Sequence, residues 1–269
     1  MRFGVAFGEE QPLVIDMAQD TEQSQTVKAI LGLRGMILSG RLQPGNRVRE
    51  QLLVDELGVS RTPARAAIIH VCKQGLIETQ PSGGYTVVRF SEDDVFDAIQ
   101  LRGTLEGMSA RRAAERGAPP RLIEAMRFCL DELDIIVDRL RDNFDPTDYD
   151  QCNERFHQLL RKAGQSPMIE RSIDHVIELP FAASGAFVNI LSTQKDAARD
   201  ILLVSQDQHR SIVDAIEKRE GARAEALTIE HSRSSWKYLQ LTMNSDKPIL
   251  QLIGEVMANA DNTKADLTS

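Results

Sequence analysis

Leu57-Gly58-Val59-Ser60-Arg61-Thr62-Pro63-Ala64-Arg65 is the stretch that decides the fold. Gly58 can stop a helix because it takes a positive φ without a Cβ penalty. Ser60 is a helix-capping residue directly ahead of Arg61, and Pro63 is tolerated in the first turn of the helix that Arg61 opens. A short amphipathic helix carrying Leu52, Leu53 and Leu57 therefore ends, and another begins, within three residues, which is the pattern of a helix-turn-helix. Upstream, Val27, Ile30, Leu31, Met36 and Ile37 recur at helical spacing until Gly40 and Pro44-Gly45 end the run. Downstream, Leu76 to Thr79, the turn Pro81-Ser82-Gly83-Gly84 and Tyr85 to Val88 read as a β-hairpin. Three helices and a hairpin wing over residues 26–90 predict a winged helix-turn-helix. Residues 1–25 are polar without a sustained period and read as a flexible arm.

From Ser91 onward the β signal is gone. Ser91 and Asp94 form a capping pattern, and Pro119-Pro120, Pro146, Pro167 and Pro180 mark breaks. Long helices around 96–116, 122–140, 149–163, 199–218 and 223–241 predict an antiparallel all-α bundle over 91–245, with a C-terminal helix and polar tail over 246–269. The chain is expected to be mainly α, without internal repeats.

A chain of 269 residues, 42% hydrophobic and 27% charged, is long enough for two domains with their own cores. No apolar run approaches the roughly 20 residues that span a bilayer, and no signal-peptide pattern follows Met1. Those features point to a cytoplasmic protein with no membrane partner. Cys72, Cys129 and Cys152 form no CxxC pair and read as reduced packing thiols. The net charge is −8, yet between Lys28 and Arg89 nine Lys and Arg face four Asp and Glu. A basic module on an acidic body is the electrostatic footprint of a DNA reader whose larger part does something else. Chance clustering of solvated charge is the plain alternative.

Arg61 and Arg65 lie one turn apart at the start of the expected recognition helix, the end that enters a major groove first. A guanidinium can fork onto guanine, while the Ser60 and Thr62 hydroxyls suit phosphate oxygens. Gln51 is placed to meet adenine or a phosphate, or is simply an exposed helix residue. Ser82, Gly83 and Gly84 at the wing tip allow backbone approach to a minor groove, or only make the turn. Ile37 to Gly40 with Leu42 to Gly45, Leu57 to Pro63 and Gln74 to Ile77 together resemble the winged-helix domain of the GntR family of bacterial regulators. The chain departs from that family at Ala64-Arg65-Ala66-Ala67-Ile68, where the family usually has Val-Arg-Glu-Ala-Leu, and the missing glutamate bears on how Arg65 is oriented.

Asn153 and His157 are four residues apart on one helical face, and His209 and His231 each fall inward on a later helix. A bundle can aim all four at one point, and imidazoles suit Zn, Ni, Fe or Cu. Scattered histidines alone are more often packed or hydrogen-bonded, the reading given to His70 and His175. Leu101-Arg102, Leu105-Glu106, Asn153 to His157, Gln208 to Ile216 and His231 resemble the FCD effector domain of the FadR-type subgroup. That resemblance implies Asn153, His157, His209 and His231 as ligands of a divalent transition metal, zinc first and nickel or another next. It also implies that Arg102 clamps a small carboxylate effector, the alternative being an ion pair between Arg102 and Glu106, itself read as structural. Asn153 stands where the family usually has Asp; a neutral amide binds metal less strongly, so the site should lean on an anionic ligand to complete it. Asp150 is a candidate outer-shell partner. Leu179 to Phe187 is apolar, which tilts the effector towards an aromatic or short apolar acid, or is core.

Together these readings predict a homodimeric repressor, not an enzyme, that binds a palindromic operator and is released by a small organic acid, with a hinge near Ser91 to Asp94. A hydrolase or oxygenase using the three histidines is the alternative of a different class, but it lacks a placed general base and leaves the DNA-reading module unexplained. A metal that only staples the bundle is another.

Overall fold

The computed structural model describes residues 17–140, 147–184 and 195–242. The N-terminal part comprises α1 (Met17–Leu38), β1 (Arg47–Val48), α2 (Glu50–Leu57), α3 (Arg61–Lys73), β2 (Ile77–Thr79) and β3 (Tyr85–Val87). Helices α4 (Glu92–Arg116), α5 (Pro120–Arg139), α6 (Thr147–Ala163) and α7 (Pro167–Ile177) come next. A 3-10 turn (Pro180–Ala182), α8 (Lys195–Glu217) and α9 (Gly221–Thr242) complete the described chain. This is the winged helix-turn-helix followed by helices that the sequence predicts.

Gly58 ends α2 in the left-handed conformation, its N–H donating to Val54 O at 3.1 Å. Ser60 takes the N-cap position of α3 with extended backbone, but its hydroxyl makes no capping hydrogen bond. The sheet has three strands in the order β1-β3-β2, one more than the hairpin read from sequence. Two residues of β1 are too few to show alternation, and pairing of Arg47 with Thr86 and Val48 with Tyr85 creates the strand. Helix α1 starts at Met17, inside the stretch expected to be an arm. That stretch contains Ala18, Gln19, Glu22 and Gln23, strong helix formers that extend a packed helix at little cost.

Three of the prolines open elements. Pro120 and Pro167 each stand in the first turn of a helix, where the missing N–H is not needed, so Pro167 starts a helix that is not among those expected from sequence. Pro180 begins the 3-10 turn. Ser91 and Asp94 cap α4 reciprocally, Ser91 N–H donating to the Asp94 carboxylate at 2.8 Å and Asp94 N–H to Ser91 Oγ at 3.2 Å. The span 246–269, expected to be helix and tail, lies outside the described residues.

Two apolar clusters form. One joins Leu33, Ile37, Leu53, Ile68, Leu76 and Val87 of the N-terminal elements; the other joins α4 through α9 together with Leu38 at the end of α1. Phe90 touches both, and its ring meets Phe181 edge-on at 4.8 Å. Helix α4 is the spine of the second cluster, approached closely on two sides. A Cβ on Gly103 would lie 2.5 Å from Ser232 Cβ on α9, and one on Gly164 would lie 2.8 Å from Ser109 Cα on α4.

Overpacking at such a contact costs about 1–3 kcal/mol, whereas replacing an unobstructed helical glycine with alanine contributes up to about 1 kcal/mol. Gly103→Val should therefore lower the melting temperature. Gly35→Ala, with nothing within 4 Å of the added carbon, should not.

Candidate metal centre and nucleic-acid interface

Helices α6, α8 and α9 bring His157, His209 and His231 together, all three buried. The Nε2 atoms of His209 and His231 are 3.0 Å apart, and those of His231 and His157 are 3.3 Å apart. Each Nδ1 faces a side-chain oxygen: Glu106 Oε2 at 3.1 Å from His157, Gln206 Oε1 at 3.1 Å from His209, and Gln208 Oε1 at 3.2 Å from His231. The Gln206 amide is fixed in that sense because its Nε2 donates to Leu130 O at 2.9 Å and Asp134 Oδ1 at 2.6 Å. Oxygen acceptors at Nδ1 place the proton there and leave each Nε2 as a bare lone pair. Three lone pairs within 4.8 Å of one another repel unless a cation lies between them, so the donor set fits a divalent transition metal.

Burial and the neighbouring imidazoles push His209 and His231 well below the ordinary histidine range. Burial alone would raise Glu106, but His157, Arg102 and Arg161 outweigh it and hold its carboxyl at about 2. The three oxygen partners are what sequence reasoning misses, since it points to Asp150 and leaves Glu106 a structural role. The available signal is Glu106 one turn after Arg102 on the same face of α4, and Gln206 and Gln208 flanking His209.

Asn153 is buried on α6 and lines a cavity of about 20 Å³ with His231, Tyr149, Tyr238 and the hydroxyls of Ser184, Ser205, Ser234 and Ser235. That space holds about one water. Arg102 is fully buried beside it, Nη2 donating to Ser235 Oγ at 3.0 Å. Its Nε is 3.9 Å from Glu106 Oε2, a charge contact without a hydrogen bond, and both Nε and Nη1 lack partners. The ion-pair alternative for Arg102 therefore leaves two buried donors unsatisfied, each costing about 1–3 kcal/mol.

The apolar stretch lies elsewhere. Phe181 and Ala182 are buried in the core and Ser184 lines the cavity, while Phe187 lies outside the described residues. His70 and His175 sit apart on the surface, beside Gln74 and Glu178.

On the N-terminal part, Gln51 stands in the first turn of α2, and Ser60, Arg61, Thr62, Arg65, Ser82, Gly83 and Gly84 are placed at the turn, the start of α3 and the wing tip, all away from the core. Arg61 and Arg65 stand one turn apart at the open end of α3. Glu50 approaches Arg65 Nε at 3.9 Å, a carboxylate from α2 near the arginine whose own helix lacks the usual glutamate. Gln51 donates to Asp55 at 2.7 Å. Gly83 and Gly84 have φ of +84° and +89°, so the turn itself requires glycine.

A winged helix-turn-helix with exposed arginines, joined to a helical bundle, defines a DNA-binding transcriptional regulator. The chain belongs to the GntR family: residues 25–87 match the model of bacterial regulatory proteins of that family and residues 97–234 match the FCD domain. Among relatives, the "Uncharacterized HTH-type transcriptional regulator YdhC" of Bacillus subtilis is 23% identical over 80% of this chain and 91% of its own. The "HTH-type transcriptional repressor RspR" of Escherichia coli is 26% identical over 74% and 82%. The fold is shared with Listeria monocytogenes Lar, at TM-score 0.58 and 18% identity over 80% of this chain and 97% of that one. It is shared also with E. coli McbR/YncC, at TM-score 0.55 and 16% identity over 81% and 98%. The family and these relatives are regulators of transcription, not enzymes, which overrides the hydrolase or oxygenase alternative. Among the described residues no helix is long and apolar enough to cross a membrane.

Two outcomes are expected of the histidine cluster. The folded, metal-free protein resists protonation of His209 and His231, whereas the unfolded chain takes up those protons near pH 6.5. Stability is therefore held above that pH and lost as pH falls below it, and the melting temperature of metal-free protein should drop between about pH 7 and pH 5.5. Glu106→Gln, which removes the charged partner of His157, should weaken zinc binding by roughly 10–100-fold in competition with a chromophoric chelator.

Proposed function

We propose that this protein is a cytoplasmic, homodimeric repressor, released from a palindromic operator by a small hydroxylated carboxylic acid that completes a metal site. Asn153, His157, His209 and His231 hold the metal, zinc or nickel by ligand type, and Arg102 grips the acid. The observation that carries this reading is the pair of unpartnered donors on buried Arg102, beside three converging imidazoles. A carboxylate offers what both lack: a bidentate acceptor for the guanidinium and an oxygen for the metal. When bound, the metal supplies positive charge that holds an anion. Four serines, two tyrosines and Asn153 around the cavity favour an acid bearing hydroxyl groups.

The cavity supports a mechanism as well as a ligand class. With room for about one water, it must open to admit an organic acid, so binding and movement are linked. Ser184 at the cavity donates to Glu154 at 2.6 Å, Glu154 accepts from Arg161 at 2.8 Å, and Arg161 lies 3.8 Å from Glu106. Three residues before Ser184, Phe181 packs on Phe90, the aromatic link to the DNA-binding part and the residue just ahead of the Ser91 hinge. Displacing Ser184 would reach the DNA-binding part through that ring. The acid must prefer the released arrangement by about 1–3 kcal/mol per site to act as a signal. In the bound arrangement, Arg61 and Arg65 read base edges. Ser60, Thr62 and Gln51 hold phosphates, and the Ser82-Gly83-Gly84 tip approaches the minor groove.

Sugar acids or small hydroxy acids should stabilise zinc-loaded protein by about 2.7 kcal/mol at one hundred times Kd, read as a rise in melting temperature, and the same acids should dissociate operator in a gel-shift titration. His157→Ala and Arg102→Met should abolish the response while leaving operator binding intact. A wild-type response to the acid from both variants would refute the site. Arg61→Ala should weaken operator binding by about 1–3 kcal/mol and relax base preference, without altering the thermal response to the acid.

A further inference from the structure

Away from the histidine cluster, α5 and α6 bring a second set of metal-ligating groups together. Cys129 and Glu132 are three residues apart on α5, Cys152 faces them from α6, and their ligand atoms all lie within 4.8 Å of one another. We propose that Cys129, Cys152 and Glu132 form a second, thiophilic cation site, taking zinc, cadmium or another soft divalent ion, independent of the three-histidine site.

Spacing, charge and access each support it. Tetrahedral thiolate ligands at about 2.3 Å from zinc stand about 3.8 Å apart, so side-chain rotations of roughly an ångström bring this set to bonding distance. Two thiolates and a carboxylate carry three negative charges, a divalent ion leaves one, and Arg155 balances it. Its Nε already donates to Cys129 Sγ at 3.0 Å and its Nη2 to Cys152 Sγ at 3.4 Å, the outer-shell hydrogen bonds that metal-bound sulfur favours. Glu132 would exchange its present ion pair with Arg155 for the cation while the sulfur contacts remain. Glu132, Cys152 and Arg155 border a surface groove of about 500 Å³ with Asp148 and Gln151, which brings a hydrated ion to Cys152 and Glu132, with Cys129 buried just behind them. Binding replaces two S–H protons, which leave to solvent, with two metal–sulfur bonds; no electron is transferred.

The site bears on function through α6. Cys152 directly precedes Asn153, so a cation here fixes the helix that presents Asn153 and His157.

The test titrates cadmium into reduced, metal-stripped full-length protein while following the ultraviolet thiolate-to-cadmium charge-transfer band, with bound metal counted after desalting. Wild type should show the band and bind two equivalents. Cys129→Ser with Cys152→Ser should lose the band and one equivalent yet keep the metal held by the histidines, and His157→Ala with His209→Ala should show the converse. Glu132→Gln should keep the band at weaker affinity, which covers the case in which the double cysteine variant folds poorly. A single equivalent without the band in wild type would overturn the second site while leaving the histidine site standing. Purified protein whose two thiols are joined as a disulfide and resist cadmium after reduction would also overturn it, in favour of a redox pair.

Discussion

The close crossing of α4 on α9 is the constraint on which the rest of the helical bundle depends. Glycine at 103 lets α4 approach to where any side chain would meet Ser232, and the same stretch of α4 carries Arg102 and Glu106. At ordinary helix separation the arginine would miss Ser235 on α9, while on the other side of α4, where Glu106 meets His157, Gly164 at the end of α6 packs against Ser109. Missing Cβ atoms at two separate contacts thus let α4 lie close to both neighbours. Buried charge is compensated here by charge rather than by a full set of hydrogen bonds: Arg102, Arg161 and His157 surround Glu106, while Arg102 Nε and Nη1 and Glu106 Oε1 have no hydrogen-bond partner.

The histidines are held by acceptors rather than by one another. Glu106 from α4 and Gln206 and Gln208 from α8 each take an Nδ1 proton, which fixes ring orientation and turns every Nε2 inward. Such preorganisation lowers the conformational cost of binding a cation and explains why polar residues occupy the densest part of an apolar bundle. The aromatic contact between Phe90 and Phe181 is of the opposite kind, a small nonpolar joint between two separately packed clusters. Rigidity at the site and a narrow joint beside it are what a signal between two domains requires.

Much of this is legible in the residues themselves. Gly58 marks a turn between helices because backbone freedom is a local property, and so are the extended backbone at Ser60, the glycines of the wing and the reciprocal cap of Ser91 and Asp94. The spacing of Asn153 and His157 places them on one face of any helix. The limits of α1 are not legible, since helix propagation from a packed segment leaves no apolar period, and neither is β1, which exists only through its pairing with β3. Pro167 illustrates the same ambiguity: proline marks a boundary without saying on which side the helix lies.

The sequence by itself determined the helix-turn-helix, the helical character of the remainder and the identity of the imidazoles, because periodicity, capping and residue chemistry act within a few positions. Only the tertiary structure decided that Glu106 and two glutamines orient those imidazoles, that Arg102 keeps two donors free, and that Cys129 and Cys152 face each other across two helices. Apart from Gln206, one turn before His209, these facts depend on the distance between helix axes and on which side chains remain unpaired after packing, quantities set by groups far apart along the chain, from 23 positions between Gln208 and His231 to 133 between Arg102 and Ser235.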